Sequence, residues 1–237
     1  MMGRFEELFN VEKPIIGMIH LAGEDSKDIL RRALEELAIY EEEGVNGAII
    51  EDYHGELDDV HRILKESQGK FPNLKIGINT LINPYASLSL ANHFGAEFVQ
   101  FDSVQTPDLD LERYNKLREE YPDIVILGGV GFKYKQPTGN PLEVDLQKAQ
   151  ERCDAIVTTG SGTGVETPIE KLIDYRTALG CFPLVVGAGV TLDNIVRQLH
   201  YTDGAIIGSC FKPDGNTELP VDRNKVRSLM DIVKDIR

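Results

Sequence analysis

The sequence predicts a single-domain α/β protein, a (β/α)8 barrel spanning residues 1–237, and three observations carry that expectation. About eight short Ile/Val-rich runs alternate with amphipathic helical stretches at intervals averaging roughly 30 residues, the size of one βα unit. No linker or low-complexity segment interrupts the series. Three glycine-rich turns follow the last three runs, where barrels of this kind commonly hold a phosphate. An open doubly wound sheet is the alternative that periodicity leaves standing.

Taken in order, the expected strands are Ile15–His20, Gly47–Glu51, Lys75–Asn79, Phe98–Asp102, Ile124–Leu127, Ala155–Thr158, Leu184–Gly187 and Ala205–Gly208. Their brevity suits parallel strands covered by helices on one face. The helices between them are punctuated. Leu30, Ala33, Leu34, Leu37 and Ala38 repeat at helical spacing, and Gly44 ends that helix. Asn83-Pro84 places a cap residue before a first-turn proline. Thr167-Pro168-Ile169-Glu170 reads as a capping box with proline inside, Thr191 as the next cap, and Asp222 as the last. Residues 1–12 are expected to form a short helix under the barrel floor. The Gly131–Pro141 loop is long, rich in Gly, Lys and Pro, and has the character of a lid or binding loop.

Composition narrows the function. Hydrophobic residues make up 41% and charged residues 27% of the chain, enough for a large core. The net charge of −14 and pI of about 4.8 disfavour binding to nucleic acid or anionic membrane. One local anion site is still allowed, because backbone N–H groups bind phosphate without net positive charge. Cys153, Cys181 and Cys210 are odd in number, widely spaced and free of any CxxC pair, so neither a disulfide framework nor a zinc site is expected. His54, His61, His93 and His200 lack ligand spacing with one another. No apolar run approaches the ~20 residues that span a bilayer, and Met1–Asn10 has no signal-peptide core. The expected setting is the cytoplasm, with a homo-oligomer compatible with all of this.

Strand parity places the polar residues. Side chains alternate between the helix layer and the barrel interior. Val99 and Phe101 suit the helices, leaving Gln100 and Asp102 inside. Ile76 and Ile78 suit the helices, leaving Gly77 and Asn79. Ala48 and Ile50 do the same, leaving Ile49 and Glu51. Parity in the first strand is ambiguous, but His20 stands at its end. Glu51, Asn79 and Asp102 are therefore expected to meet at the mouth, near His20 and with Lys133 on the following long loop. Buried carboxylates are costly unless they meet a cation, a metal or a proton-transfer role. The set suits general acid–base work or a divalent ion such as Mg²⁺. Lys133 could alternatively act as a Schiff-base nucleophile.

The anion side of the mouth is expected in three turns: Thr158-Thr159-Gly160-Ser161-Gly162-Thr163-Gly164, Gly187-Ala188-Gly189-Val190, and Gly208-Ser209. Glycine permits close backbone approach to an anion. Thr159, Gly160, Gly162, Thr163, Gly187, Gly189, Gly208 and Ser209 form the expected phosphate corner.

Pro14-Ile15-Ile16-Gly17-Met18-Ile19-His20-Leu21, Gly77-Ile78-Asn79-Thr80-Leu81-Ile82-Asn83 and Val157-Thr158-Thr159-Gly160 with Thr163-Gly164 are family-like stretches. The most specific is Pro183-Leu184-Val185-Val186-Gly187-Ala188-Gly189-Val190-Thr191 with Asn194, followed by Asp203-Gly204, Gly208-Ser209, Lys212, Asp214 and Gly215. Through these, over essentially its whole length, the chain resembles the BtpA/SgcQ family of barrel proteins, first associated with photosystem I biogenesis. It departs from that pattern at Ala22-Gly23-Glu24-Asp25, at Gln100 and Asp102 where Arg and Asn are expected, and at Gly129, Gly131 and Tyr134 where Asp, Lys and His are usual. Lys133 is kept. The resemblance implies the barrel and its phosphate corner. Together with the residues it points to an enzyme acting on a phosphorylated small molecule, either a sugar phosphate or a nucleotide-like compound. A non-catalytic assembly or stability factor built on the same scaffold is the alternative.

Overall fold

A computed structural model describes residues 3–237; Met1 and Met2, the first residues of the expected floor segment, lie outside the described residues. The order is α1 (Arg4–Phe9), β1 (Ile15–Ile19), α2 (Ser26–Glu42), β2 (Gly47–Glu51), α3 (Leu57–Ser67), β3 (Lys75–Asn79), α4 (Pro84–Phe94), β4 (Phe98–Phe101) and α5 (Leu111–Glu120). It continues with β5 (Val125–Gly129), α6 (Leu142–Gln150), β6 (Ala155–Thr159), α7 (Ile169–Leu179), β7 (Leu184–Gly187), α8 (Ile195–Tyr201), β8 (Gly204–Ile207) and α9 (Arg223–Asp235). The strands pair in sequence order, all parallel, and β8 returns to β1 through Ile15↔Ala205 and Ile16↔Ile206. Closure excludes the open sheet.

Strand parity sorts the apolar residues into two cores. Ala48, Ile50, Ile78, Val99 and Phe101 lie between sheet and helices. Ile16, Met18, Ile49, Phe98, Val125, Leu127, Val157, Val185 and Ile206 fill the barrel itself. The first strand, ambiguous in sequence, thus turns Ile16 and Met18 inward and Ile15 and Ile19 outward. Phe5 and Phe9 of α1 join the interior set, and the Phe9 ring meets the Phe98 ring edge-on at 5.6 Å. These contacts plug the end of the barrel opposite the strand C-termini, leaving polar side chains to the other end.

Helix starts differ from expectation in an instructive way. The Thr167 hydroxyl donates to the Gly187 carbonyl at 3.0 Å, tying the β6–α7 loop to the end of β7 instead of capping α7, whose first residue follows Pro168. Thr191 makes no side-chain cap either; its N–H donates to Asn194 Oδ1, and Asn194 immediately precedes α8. Asn83 precedes α4 without a side-chain cap. Asp222 does cap α9, accepting from the N–H groups of Asn224 and Lys225. Asp222→Ala is therefore expected to cost about 1 kcal/mol, read as a lowered urea midpoint with an unchanged slope.

Candidate functional site

Each strand delivers its last inward residue to the same rim. Glu51 ends β2 and Asn79 ends β3, and the two are register partners across the ladder. Asn79 Nδ2 donates to Glu51 Oε1 at 2.9 Å and to Asp102 Oδ1 at 3.0 Å. Gln100, inward in β4, donates from Nε2 to the same Asp102 oxygen at 3.0 Å. The predicted trio is thus one hydrogen-bonded unit, with a side-chain amide between two carboxyl groups. Glu51 is buried, and desolvation together with the neighbouring Asp102 pushes its pKa up to about 8, despite the Lys133 charge and the Asn79 bond that oppose the rise. At neutral pH Glu51 therefore carries a proton.

His20 follows β1 and is also buried. Its ring lies edge-on to Tyr53 at 5.3 Å and fills the space beside Gly208, where a Cβ would come within 2.8 Å of the imidazole. That packing is one reason glycine stands at 208. Burial, then the charges of Lys212 and Lys133, lower the imidazole pKa to about 3. His20 is accordingly a neutral hydrogen-bonding group and brings no positive charge to the site.

The opposite wall comes from the late turns. Thr159, Thr163, Gly187, Gly208 and Ser209 line one cleft together with His20, Glu51, Gln100 and Lys133. Gly160 and Gly189 stand behind that wall: a Cβ on either would collide with the backbone of Val165–Glu166, and Gly189 has a φ of +62°. That packing excludes a side chain at either position. Gly162 lies against Tyr134 and Val165. Ala188, at a φ of +60°, holds a left-handed conformation that costs a non-glycine residue about 1 kcal/mol or more. The strain sits at the cleft.

Three loops meet over the cleft. Thr163 Oγ1 lies 3.3 Å from Tyr53 Oη, from Tyr134 Oη and from Lys133 Nζ. The Lys133 N–H donates to Thr159 Oγ1 at 2.6 Å. Lys133 thus reaches the turn side of the cleft, not the carboxylate side. A separate hollow of about 510 Å³ opens at the far end of the barrel beside Phe5, Lys13 and Asp203. None of the strand-end polar residues reaches it, so the rim cleft is the candidate site. Among the described residues no group of three or more His, Cys, Asp or Glu is placed to hold a metal ion. A divalent cation would have no carboxyl groups of that cluster beyond Glu51 and Asp102, and would depend on ligand oxygens to complete its shell, as Mg²⁺ commonly does.

A model of the BtpA family matches residues 11–235. The chain belongs to the BtpA family. An uncharacterised relative from Pyrococcus abyssi is 30% identical over 255 aligned positions, covering 95% of this chain and 97% of its own. SgcQ, an sgc region protein of Escherichia coli, is 23% identical with 100% of both chains covered. Among solved structures, phosphoribosyl anthranilate isomerase from Thermus thermophilus shares the fold, with a TM-score of 0.64 at 14% identity over 94% of this chain and 100% of that one.

Around this BtpA-family cleft stand residues that the sequence did not single out. Tyr53 lies two positions beyond β2, with no periodicity to mark it. Lys171, in the first turn of α7, donates from Nζ to the carbonyls of Gly131 at 2.6 Å and Thr159 at 2.7 Å. Burial without a carboxylate partner lowers its pKa to about 8. It ties the start of the Lys133 loop to the end of β6. Only the barrel's closure brings these residues together. No helix among the described residues is long and apolar enough to cross a membrane.

Proposed function

We propose that this chain is an enzyme acting on a phosphorylated small molecule, a sugar phosphate or nucleotide-like compound, by general acid–base chemistry. The observation that carries the reading is a single cleft with two unlike walls: glycine turns and hydroxyls from β6–β8 on one side, and on the other Glu51 and Gln100, which are hydrogen-bonded to Asn79 and Asp102 behind them. Thr159, Thr163, Gly187, Gly208 and Ser209 anchor the phosphate, with Lys133 nearby. Binding energy from that remote group then positions the reacting end. Glu51, protonated up to about pH 8, is the acid. Asp102, one of whose oxygens is held by two amides, is the base. His20 contributes a neutral N–H to developing negative charge. The Thermus thermophilus neighbour, by its name, isomerises a phosphoribosyl compound, and the proposed ligand class agrees with that.

A thermal-shift screen of inorganic phosphate and phosphate esters, with and without Mg²⁺, tests the binding half. Stabilisation by esters supports it, and a Mg²⁺ requirement would assign the carboxylates a metal-holding role. No shift with any phosphate compound, combined with one stable protein partner, would favour the assembly-factor role instead. For an ester that is turned over, Asp102→Asn is expected to fold normally and lose about 10²-fold or more in kcat. Unchanged turnover removes Asp102 from the chemistry.

A further inference from the structure

Two buried polar atoms of the cleft residues have no hydrogen-bond partner: Gln100 Oε1 and His20 Nδ1. Gln100 is 3% exposed and His20 4%, and both line the cleft. The amide orientation of Gln100 follows from its partner. A carboxylate accepts and does not donate, so Nε2 must face Asp102 and Oε1 must face away from it. Asn79 is fixed the same way, by the same oxygen. Asn79 therefore spends both its donors on the two carboxyl groups and Gln100 one of its two on Asp102, and an unpaired carbonyl is left on Gln100. A buried acceptor without a donor costs about 1–3 kcal/mol, so a ligand that supplies the donor recovers that amount.

Charge on this wall points the same way. Asp102 and Asp52 both raise the proton affinity of Glu51, so the wall already disfavours one more negative charge. The cation lining the cleft, Lys133, bonds Thr163 on the turn side. Between the two walls Met18, Phe132, Val157 and Ile206 give an apolar floor that suits a short carbon chain.

We propose that the ligand's end away from its phosphate is an uncharged, hydroxyl-bearing chain, that one hydroxyl donates to Gln100 Oε1, and that Gln100 with Asp102 excludes phosphorylated carboxylic acids. The ligand class is thus a polyol phosphate. This selectivity rests on the phosphate reading above and goes beyond it by naming the other end of the molecule.

Glycerol 3-phosphate and 3-phosphoglycerate form a matched pair, differing at the far end as CH₂OH against carboxylate. Calorimetric titration of the full chain with both, and with inorganic phosphate, is the test. The wild-type chain is expected to bind glycerol 3-phosphate about ten-fold or more tighter than 3-phosphoglycerate. Gln100→Leu is expected to weaken glycerol 3-phosphate by about five- to thirty-fold while moving inorganic phosphate by less than about two-fold. Asp102→Asn should narrow the gap between the two esters. If none of the three compounds binds, the phosphate reading falls and this inference with it. If phosphate binds but 3-phosphoglycerate binds as tightly as glycerol 3-phosphate, or Gln100→Leu binds all three as the parent does, the selectivity alone is overturned. The wild-type comparison decides the matter even where the leucine variant fails to fold.

Discussion

Lys212→Met is expected to cost about 3–5 kcal/mol of stability, and the paired change Glu36→Leu with Lys212→Met to return most of it. Lys212 follows β8 and Glu36 lies on α2, and their side chains are 2% and 7% exposed. Lys212 Nζ donates to Glu36 Oε1 at 2.5 Å, and the Val221 N–H donates to the same oxygen at 2.9 Å. Burial pushes each group toward its neutral form, raising Glu36 and lowering Lys212, while each partner's charge opposes the other's shift. Removing the lysine leaves a carboxyl group with its desolvation unopposed by that charge. Removing both leaves an apolar contact. In a chain of this length each kcal/mol lowers Tm by about 2–4 °C, so the single variant should melt roughly 10 °C lower. The loss should shrink in acid, where Glu36 takes up a proton. A single variant within about 1 kcal/mol of the parent would show that the pair carries little.

The pair also reaches the site. Lys212 is the second-largest cause, after burial, of the low His20 pKa. The link from the seam between the last and first βα units to the cleft is electrostatic. The Glu36–Lys212 pair behind it joins residues 176 positions apart in sequence, which no local pattern could reveal.

Much of the architecture was legible because it rests on two short-range signals. Alternation along five-residue strands sends Ala48 and Ile50 to one side and Ile49 and Glu51 to the other, and the same rule puts Asn79 and Gln100 inside. Once the barrel closes, strand-end residues must share a rim, so Glu51, Asn79 and Asp102 could be grouped before any distance was known. The hydroxyls were less legible. Thr167 and Thr191 sit in good capping contexts, yet Thr167 bonds a carbonyl twenty residues away and the turn at Thr191 is closed by Asn194. Glycine is ambiguous for a different reason. Close approach of an anion and close approach of another backbone both demand it; a Cβ on Gly160 or Gly189 would meet the Val165–Glu166 backbone, and one on Gly208 would meet a histidine. Sequence also marks no charge state. The protonated Glu51 and the neutral His20 come from burial that several strands produce jointly.

Those two charge states predict a stability plateau with a fall on each side. Folded Glu51 keeps its proton up to about pH 8, whereas an unfolded glutamate loses it near pH 4.3. Between those values the folded chain holds the extra proton, so stability falls as pH rises and levels off above about 8. His20 works in the opposite sense. It takes a proton only near pH 3 when folded, but near 6.5 when unfolded, so stability falls as pH drops through that window. Where the windows overlap, from roughly pH 4.5 to 6.5, the two slopes cancel. Glu51→Gln keeps a neutral side chain that can accept from Asn79 and should erase the alkaline fall. Relative to the parent it should gain on the order of 4 kcal/mol between pH 5 and pH 9, read from urea midpoints across that range. His20→Asn should flatten the acid side in the same way. If the Glu51→Gln and parent curves run parallel instead, Glu51 is ionised at neutral pH, and the cleft loses the group that would deliver a proton to a bound phosphate ester.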